Sequence, residues 1–129
     1  MRDIYLFTSK PMDFAECKKV INEKIKYVDD NLVRSFWSTS KNHWYLDLDN
    51  DGMFDDITDE GHLEDIKEWA ERIPIGKPFL NRLGIHRSID AKRLVAALVT
   101  IYPDLYVNVD DTEQFFGTAQ EYIDTEFDY

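Results

Sequence analysis

The chain has 129 residues, enough for one domain that buries roughly two-thirds of its unfolded surface. Apolar residues make up 43% of it and aromatics 14%, which excludes a disordered acidic tail. No run approaches the ~18 apolar residues of a membrane span, and a formal net charge of −11 opposes nucleic acid and anionic lipid.

Met1 to Tyr5 moves straight into a strand pattern, without the basic-then-apolar order of a signal peptide. Ile4, Leu6 and Thr8 alternate with Tyr5 and Phe7, which predicts a mostly buried strand that Ser9-Lys10-Pro11 ends. Phe14, Cys17, Val20, Ile21 and Ile25 then form the apolar stripe of a helix. Asp13 stands at its N-cap with Glu16 three residues on, the order of a capping box; Met12 and Cys17 stand at staple positions. Asp29-Asp30-Asn31 reads as a turn, Leu32 to Ser38 as a strand, and Lys41-Asn42 as another turn. Trp44, Leu46 and Leu48 alternate with Tyr45, Asp47 and Asp49, a strand with one wet face. Asn50-Asp51-Gly52 signals a hairpin, with Met53 to Ile57 as a short return strand.

Thr58 or Asp59 opens a helix with Leu63, Ile66, Trp69, Ala70 and Ile73 inward, ended by Pro74 and Gly76. Phe79 to Ile85 is a weaker strand, interrupted by Gly84. Asp90 is expected to cap a helix bearing Ala91, Leu94, Val95, Leu98, Val99 and Tyr102, with Ile89 and Leu94 as a staple, until Pro103 stops it. Leu105, Val107 and Val109 alternate as a strand. Phe115, Phe116, Ala119, Tyr122 and Ile123 fit a helical period that Gly117 breaks, and Thr118 with Glu121 offers a capping box for a short helix. The expected fold is α+β, a single domain over 1–129: a mostly antiparallel sheet with about three helices packed on it. Residues 4–48 and 79–109 repeat the order strand, apolar residue plus Asp, helix, strand. A duplicated β-α-β(β) unit, matching Met12-Asp13 to Ile89-Asp90, is one way to build it.

Cys17 is the only cysteine, so no intrachain disulfide forms and a reducing, cytoplasmic setting is expected. Its place on the apolar stripe marks a buried structural thiol. His43, His62 and His86 show no metal-ligand spacing, and no nucleophile elbow or phosphate-binding glycine motif is present. Neither an enzyme nor a cofactor is expected. Asp47, Asp49 and Asp51 with Gly52 and Asp55 match positions 1, 3, 5, 6 and 9 of an EF-hand loop. Thr58 stands at position 12, where a bidentate Glu belongs, so a hairpin turn is the plainer reading. A calcium module over Asp47–Asp55 stays an alternative. So does a small enzyme, should Asp110 or Asp111 pair with Asp47 or Asp49.

The charge is uneven. Nine acids and no base lie between Lys41 and Lys67, and eight acids and no base follow Arg93. Those stretches hold 17 of the 26 acids, and the remainder sets 15 bases against nine acids. A concentrated field selects charged partners. The basic segments 1–41 and 67–93 are free to gather into a local patch, although the low pI argues against nucleic acid as the main partner.

By the strand period Tyr45 shares a face with Asp47 and Asp49, and Tyr106 with Asn108 and Asp110. A small acidic α+β domain bearing Tyr45-Leu46-Asp47-Leu48-Asp49, Asn50-Asp51-Gly52 and Tyr106-Val107-Asn108-Val109-Asp110-Asp111 resembles bacterial immunity proteins, the neutralisers of toxins. The resemblance is one of type. It implies a basic protein partner, such as a nuclease toxin, blocked by carboxylates standing where phosphates would sit. The expected partner-binding residues are Tyr45, Asp47, Asp49, Asp51, Tyr106, Asp110, Asp111 and Glu113. Nucleic acid and membrane are not expected as partners, and the oligomeric state stays open.

Overall fold

The N-terminal alternation becomes β1 (Arg2–Thr8), whose Ile4 and Leu6 are fully buried. The computed structural model of the chain describes residues 2–40, 43–48, 71, 78–109 and 115–125. After β1 come α1 (Phe14–Lys24), β2 (Val28–Asp30), β3 (Ser35–Ser38), β4 (Tyr45–Asp47) and β5 (Phe79–Ile85). Then follow α2 (Ser88–Val99), β6 (Tyr106–Val109), β7 (Phe115–Thr118) and α3 (Ala119–Ile123). The strands form one antiparallel sheet in the order β2-β3-β4-β5-β1-β6-β7. The chain is thus α+β, as its patterning predicts.

Cross-strand partners point to the same side of a sheet. Phe36, Leu46, Leu83, Ile4 and Val109 therefore make one continuous buried row across β3, β4, β5, β1 and β6. Cys17, Val20 and Ile21 of α1 and Leu94, Val95 and Leu98 of α2 close over that side. Phe14 stacks on Phe36 with ring centroids 4.7 Å apart. The central strands β1 and β5 each feed a helix. From β1 the chain passes through α1, β2 and β3 to β4, beyond β5; from β5 it passes through α2 to β6, beyond β1. The two crossovers interlock as a split β-α-β arrangement. Residues 4–48 and 79–109 share the order strand, helix, strand, but β2 and β3 belong to the first segment alone.

The two helix starts differ. Asp13 caps α1, its carboxylate accepting from Glu16 N–H at 3.0 Å. The reciprocal half of the expected box goes elsewhere: Asp13 N–H donates to the Tyr102 hydroxyl at 2.7 Å. Tyr102 follows α2, so the cap of one crossover is tied to the end of the other. Asp90 does not cap α2. The helix begins at Ser88 with Arg87 as N-cap, and Asp90 lies in the first turn, held by Arg87 Nε and Nη2 at 3.2 Å each. A carboxylate in a first turn is favoured by the helix dipole. Starting the helix three residues early turns Ile89 outward, 44% exposed, so it is no staple.

Asp29 and Asp30 lie in β2, and the turn shifts to the residues after it. Asn31 Oδ1 accepts from the N–H groups of Val33, Arg34 and Ser35 at 2.9–3.0 Å, and Asp30 Oδ1 from Leu32 N–H at 2.9 Å. These side-chain acceptors override the β-propensity of Leu32-Val33, so the strand predicted from Leu32 starts at Ser35. Phe115 and Phe116 are strand, not helix, because their backbone pairs with Val109 and Asn108. The Thr118–Glu121 box then forms in full and opens α3, with both bonds at 3.2 Å. The predicted Lys41-Asn42 turn, the Asn50-Asp51-Gly52 hairpin, its return strand and the helix from Thr58 or Asp59 lie outside the described residues.

Burial pushes the Cys17 thiol up to about 12, against an opposing hydrogen bond from Tyr102. Burial likewise raises the Tyr102 hydroxyl. Cys17 is expected to resist alkylation at about pH 8 in the folded chain and to react once denaturant is added. The unfolded thiol ionises near 9.0 whereas the folded one holds its proton to about 12. Its contribution to stability is therefore complete below the first value and lost as pH rises toward the second. Urea titrations across that window should show a shallower loss for Cys17→Ala. Tyr102→Phe, which removes the acceptor for Asp13 N–H, should cost about 1 kcal/mol in the same assay at neutral pH.

Candidate functional site

The sheet face away from α1 and α2 is ordered in rows by the strand register. Trp37, Tyr45, Gly84 and Asp3 lie in one row across β3, β4, β5 and β1. Ser35, Asp47, Arg82, Tyr5 and Asn108 lie in the next. Leu80, Phe7 and Tyr106 lie beyond.

The first two rows form a bonded network. Gly84 has no side chain, and the Tyr45 ring occupies the space; a Cβ there would stand 2.1 Å from Tyr45 Cε1. This is the interior-strand use of glycine, a place where a neighbour approaches closely. The Tyr45 hydroxyl donates to Asp3 Oδ1 at 3.1 Å. Burial, and then the Asp3 charge, raise the Tyr45 hydroxyl, so it remains a protonated donor. The Arg82 guanidinium lies 5.8 Å from the Tyr45 ring centroid and donates from Nη2 to Asp47 Oδ2 at 3.4 Å. Ser35 Oγ donates to Asp47 Oδ1 at 2.7 Å. Both Asp47 oxygens are thus engaged, one by a cation. Among the described residues no three His, Cys, Asp or Glu gather as metal ligands.

Of the residues expected to bind a partner, Tyr45, Asp47 and Tyr106 are described, and all three lie on this face. They do not make one patch. Tyr106 is three strands and four residues of register from Tyr45, roughly 20 Å at ordinary strand spacings. Phe7, Leu80 and Asn108 are fully buried on that far side. Asp49, Asp51, Asp110, Asp111 and Glu113 lie outside the described residues, as does the calcium-loop motif beyond Leu48.

What strand periodicity misses is the hairpin beside Tyr45. Leu32 is 74% exposed, Val33 62% and Trp37 36%, three of the five exposed large apolar residues among those described. Asn31 fixes the loop that presents the first two. Asp29, the exposed cross-strand neighbour of Trp37, and Asp3, also exposed, flank the aromatic pair. The sequence signal for this corner was an Asx residue before an apolar pair, which competes with the strand reading of the same residues.

Gly84→Ala should displace the Tyr45 ring and cost about 1–3 kcal/mol. In a Tyr45→Ala background the same change should cost far less, a coupling that a denaturant double-mutant cycle measures. Equal costs in the two backgrounds would mean that the ring is not what the methyl meets.

Comparison of the chain with protein-family models, with curated proteins and with solved structures finds no match.

Proposed function

We propose that this chain is a protein-binding inhibitor of the immunity type, which docks a basic partner on the corner made by the β2–β3 hairpin and the outer side of β3 and β4. The observation that carries it is the concentration of exposed Leu32 and Val33, on a loop held by Asn31, with exposed Trp37 of β3, beside the Asp29 and Asp3 carboxylates. Scattered exposed apolar residues need no explanation, whereas a cluster on a fixed loop does. A loop already ordered loses little entropy on docking, and aromatic anchors supply most of the off-rate. The net charge of −11 steers a cation to the corner and raises the on-rate.

In this reading Tyr45 supports Trp37 from the next strand, and Arg82 holds Asp47 in place within the sheet. The acids at 49, 51, 110, 111 and 113 enter through the net charge alone. Where the basic partner is a nuclease toxin, the corner's carboxylates stand where phosphates would.

Basic proteins retained by the immobilised chain from source-cell extract can be identified and their kinetics measured. Association should slow at least roughly tenfold from low to high salt, as steering requires. Trp37→Ala and Leu32→Ser should speed dissociation while leaving association within roughly twofold. A partner whose association ignores salt, or which leaves the variants no faster, would remove the reading.

A further inference from the structure

Four basic residues from segments 1–41 and 67–93 line one cavity. A cavity of about 360 Å³ opens between the C-terminal end of α1, the residues after β3 and the first turns of α2. Lys24, Lys26, Arg87 and Arg93 line it, and Asp90 is the one acid among its described lining residues. Arg87 and Asp90 satisfy each other through two bonds of 3.2 Å. Lys24, Lys26 and Arg93 have no ion pair among the described residues, leaving three uncompensated cations. Lys24 lies in the last turn of α1, where the helix dipole favours it. Lys26 and Arg93 have no such reason to be there. In a chain with 26 acids against 15 bases, cations converging on a concavity without acids to match are a positive signal.

The rest of the wall is mixed, with Ser38 and Ser40 beside apolar groups. Ile25 and the buried Trp44 contribute to it, and Tyr27 stands at the rim, 70% exposed. Tyr27 adopts φ 61°, the left-handed region that a bulky residue rarely enters, and its carbonyl is held by Thr39 N–H at 2.7 Å. Backbone strain that keeps an aromatic ring beside a charged cavity is the kind found at ligand sites. The first turns of α2 border the same space, with the Asp90 carboxylate there engaged by Arg87.

We propose that this cavity binds a nucleoside diphosphate. The phosphates meet Lys24, Lys26 and Arg93, and the flat base lies against Tyr27. The volume falls within the range usual for small-ligand pockets. The site lies on the helix side of the sheet and does not depend on partner docking at the hairpin tip.

Calorimetry at low salt with ADP, GDP and UDP, each in turn, tests it, with inorganic phosphate and adenosine as partial ligands. At least one diphosphate should bind one-to-one and saturably, with phosphate weaker and adenosine weaker still. Arg93→Glu and Lys26→Glu, with circular dichroism unchanged, should each weaken binding at least roughly tenfold, as loss of a charge-assisted contact does. Tyr27→Gly relieves the left-handed strain and keeps every charge, so it should weaken the nucleotide and leave phosphate unchanged. The proposal is overturned by the absence of saturable heat with all three nucleotides, or by binding that Arg93→Glu leaves intact. It is equally overturned if only a long polyanion such as single-stranded oligonucleotide binds, since that would make the cations a diffuse surface field.

Discussion

The pairing of β1 with β5 is the constraint on which the rest of the structure depends. It runs without a break from Arg2 with Ile85 to Thr8 with Phe79, joining residues far apart in the chain. It assigns sides. Ile4 with Leu83 faces the helices, and Asp3 with Gly84 and Tyr5 with Arg82 face the other way. A slip of β1 by one residue would turn Ile4 and Leu6 away from the helices and bring Asp3 and Tyr5 toward them, so burial holds the register firmly. The same register sets Gly84 beside Tyr45 and Arg82 beside Asp47. The outer network is therefore a by-product of the core's choice, and needs no contact energy of its own to be located. That is fitting, because an ion pair this exposed contributes little to stability.

Much of this was legible in the chain. The alternation at 4–8, 44–48 and 105–109 names its strands because each has one buried face, and Asp13 names its helix start because a carboxylate there has an N–H to accept. The misreadings have a common cause: a local signal with two possible partners. Asp90 looks like a cap by spacing, but Arg87 three residues earlier claims its carboxylate. Glu16 looks like half a box, but Tyr102 supplies a better acceptor from 89 residues away. Leu32-Val33 looks like strand until Asn31 collects three backbone donors. Gly84 looks like a break, yet its missing side chain is filled by a ring from another strand. In each case the decisive partner is either distant in sequence or a side chain competing for backbone, and pattern reading sees neither.

Charge shows the same division. Segment counts separate acidic stretches from basic ones, but they do not say which cations are neutralised. Arg82 and Arg87 are matched by Asp47 and Asp90, and Lys18 by Asp30 at 3.4 Å. Lys24, Lys26 and Arg93 have no such partner among the described residues, and these three share a concavity. A chain of net −11 thus gathers three cations at one concavity among its described residues, on the helix side of the sheet. Two proposals of opposite polarity are compatible because the fold puts them on opposite sides of the same β2–β3 hairpin.

That hairpin carries the strain. Among the described residues only Tyr27 and Leu32 combine a side chain with positive φ, and they bracket the three residues of β2. Each such conformation costs about 1–2 kcal/mol. An edge strand of three residues has little pairing energy to offset that, so the cost must be met locally. At Leu32 it is met by the Asp30 and Asn31 side chains, which accept four backbone N–H groups between them. At Tyr27 it is met by the Thr39 bond and by pairing of Val28 with Ser38. A glycine or asparagine at either position would relieve the strain, yet both positions hold large side chains turned to solvent. Folding alone gives no reason for that choice. The two proposed sites would supply one: Leu32 would meet the docked protein, and Tyr27 the base of the nucleotide.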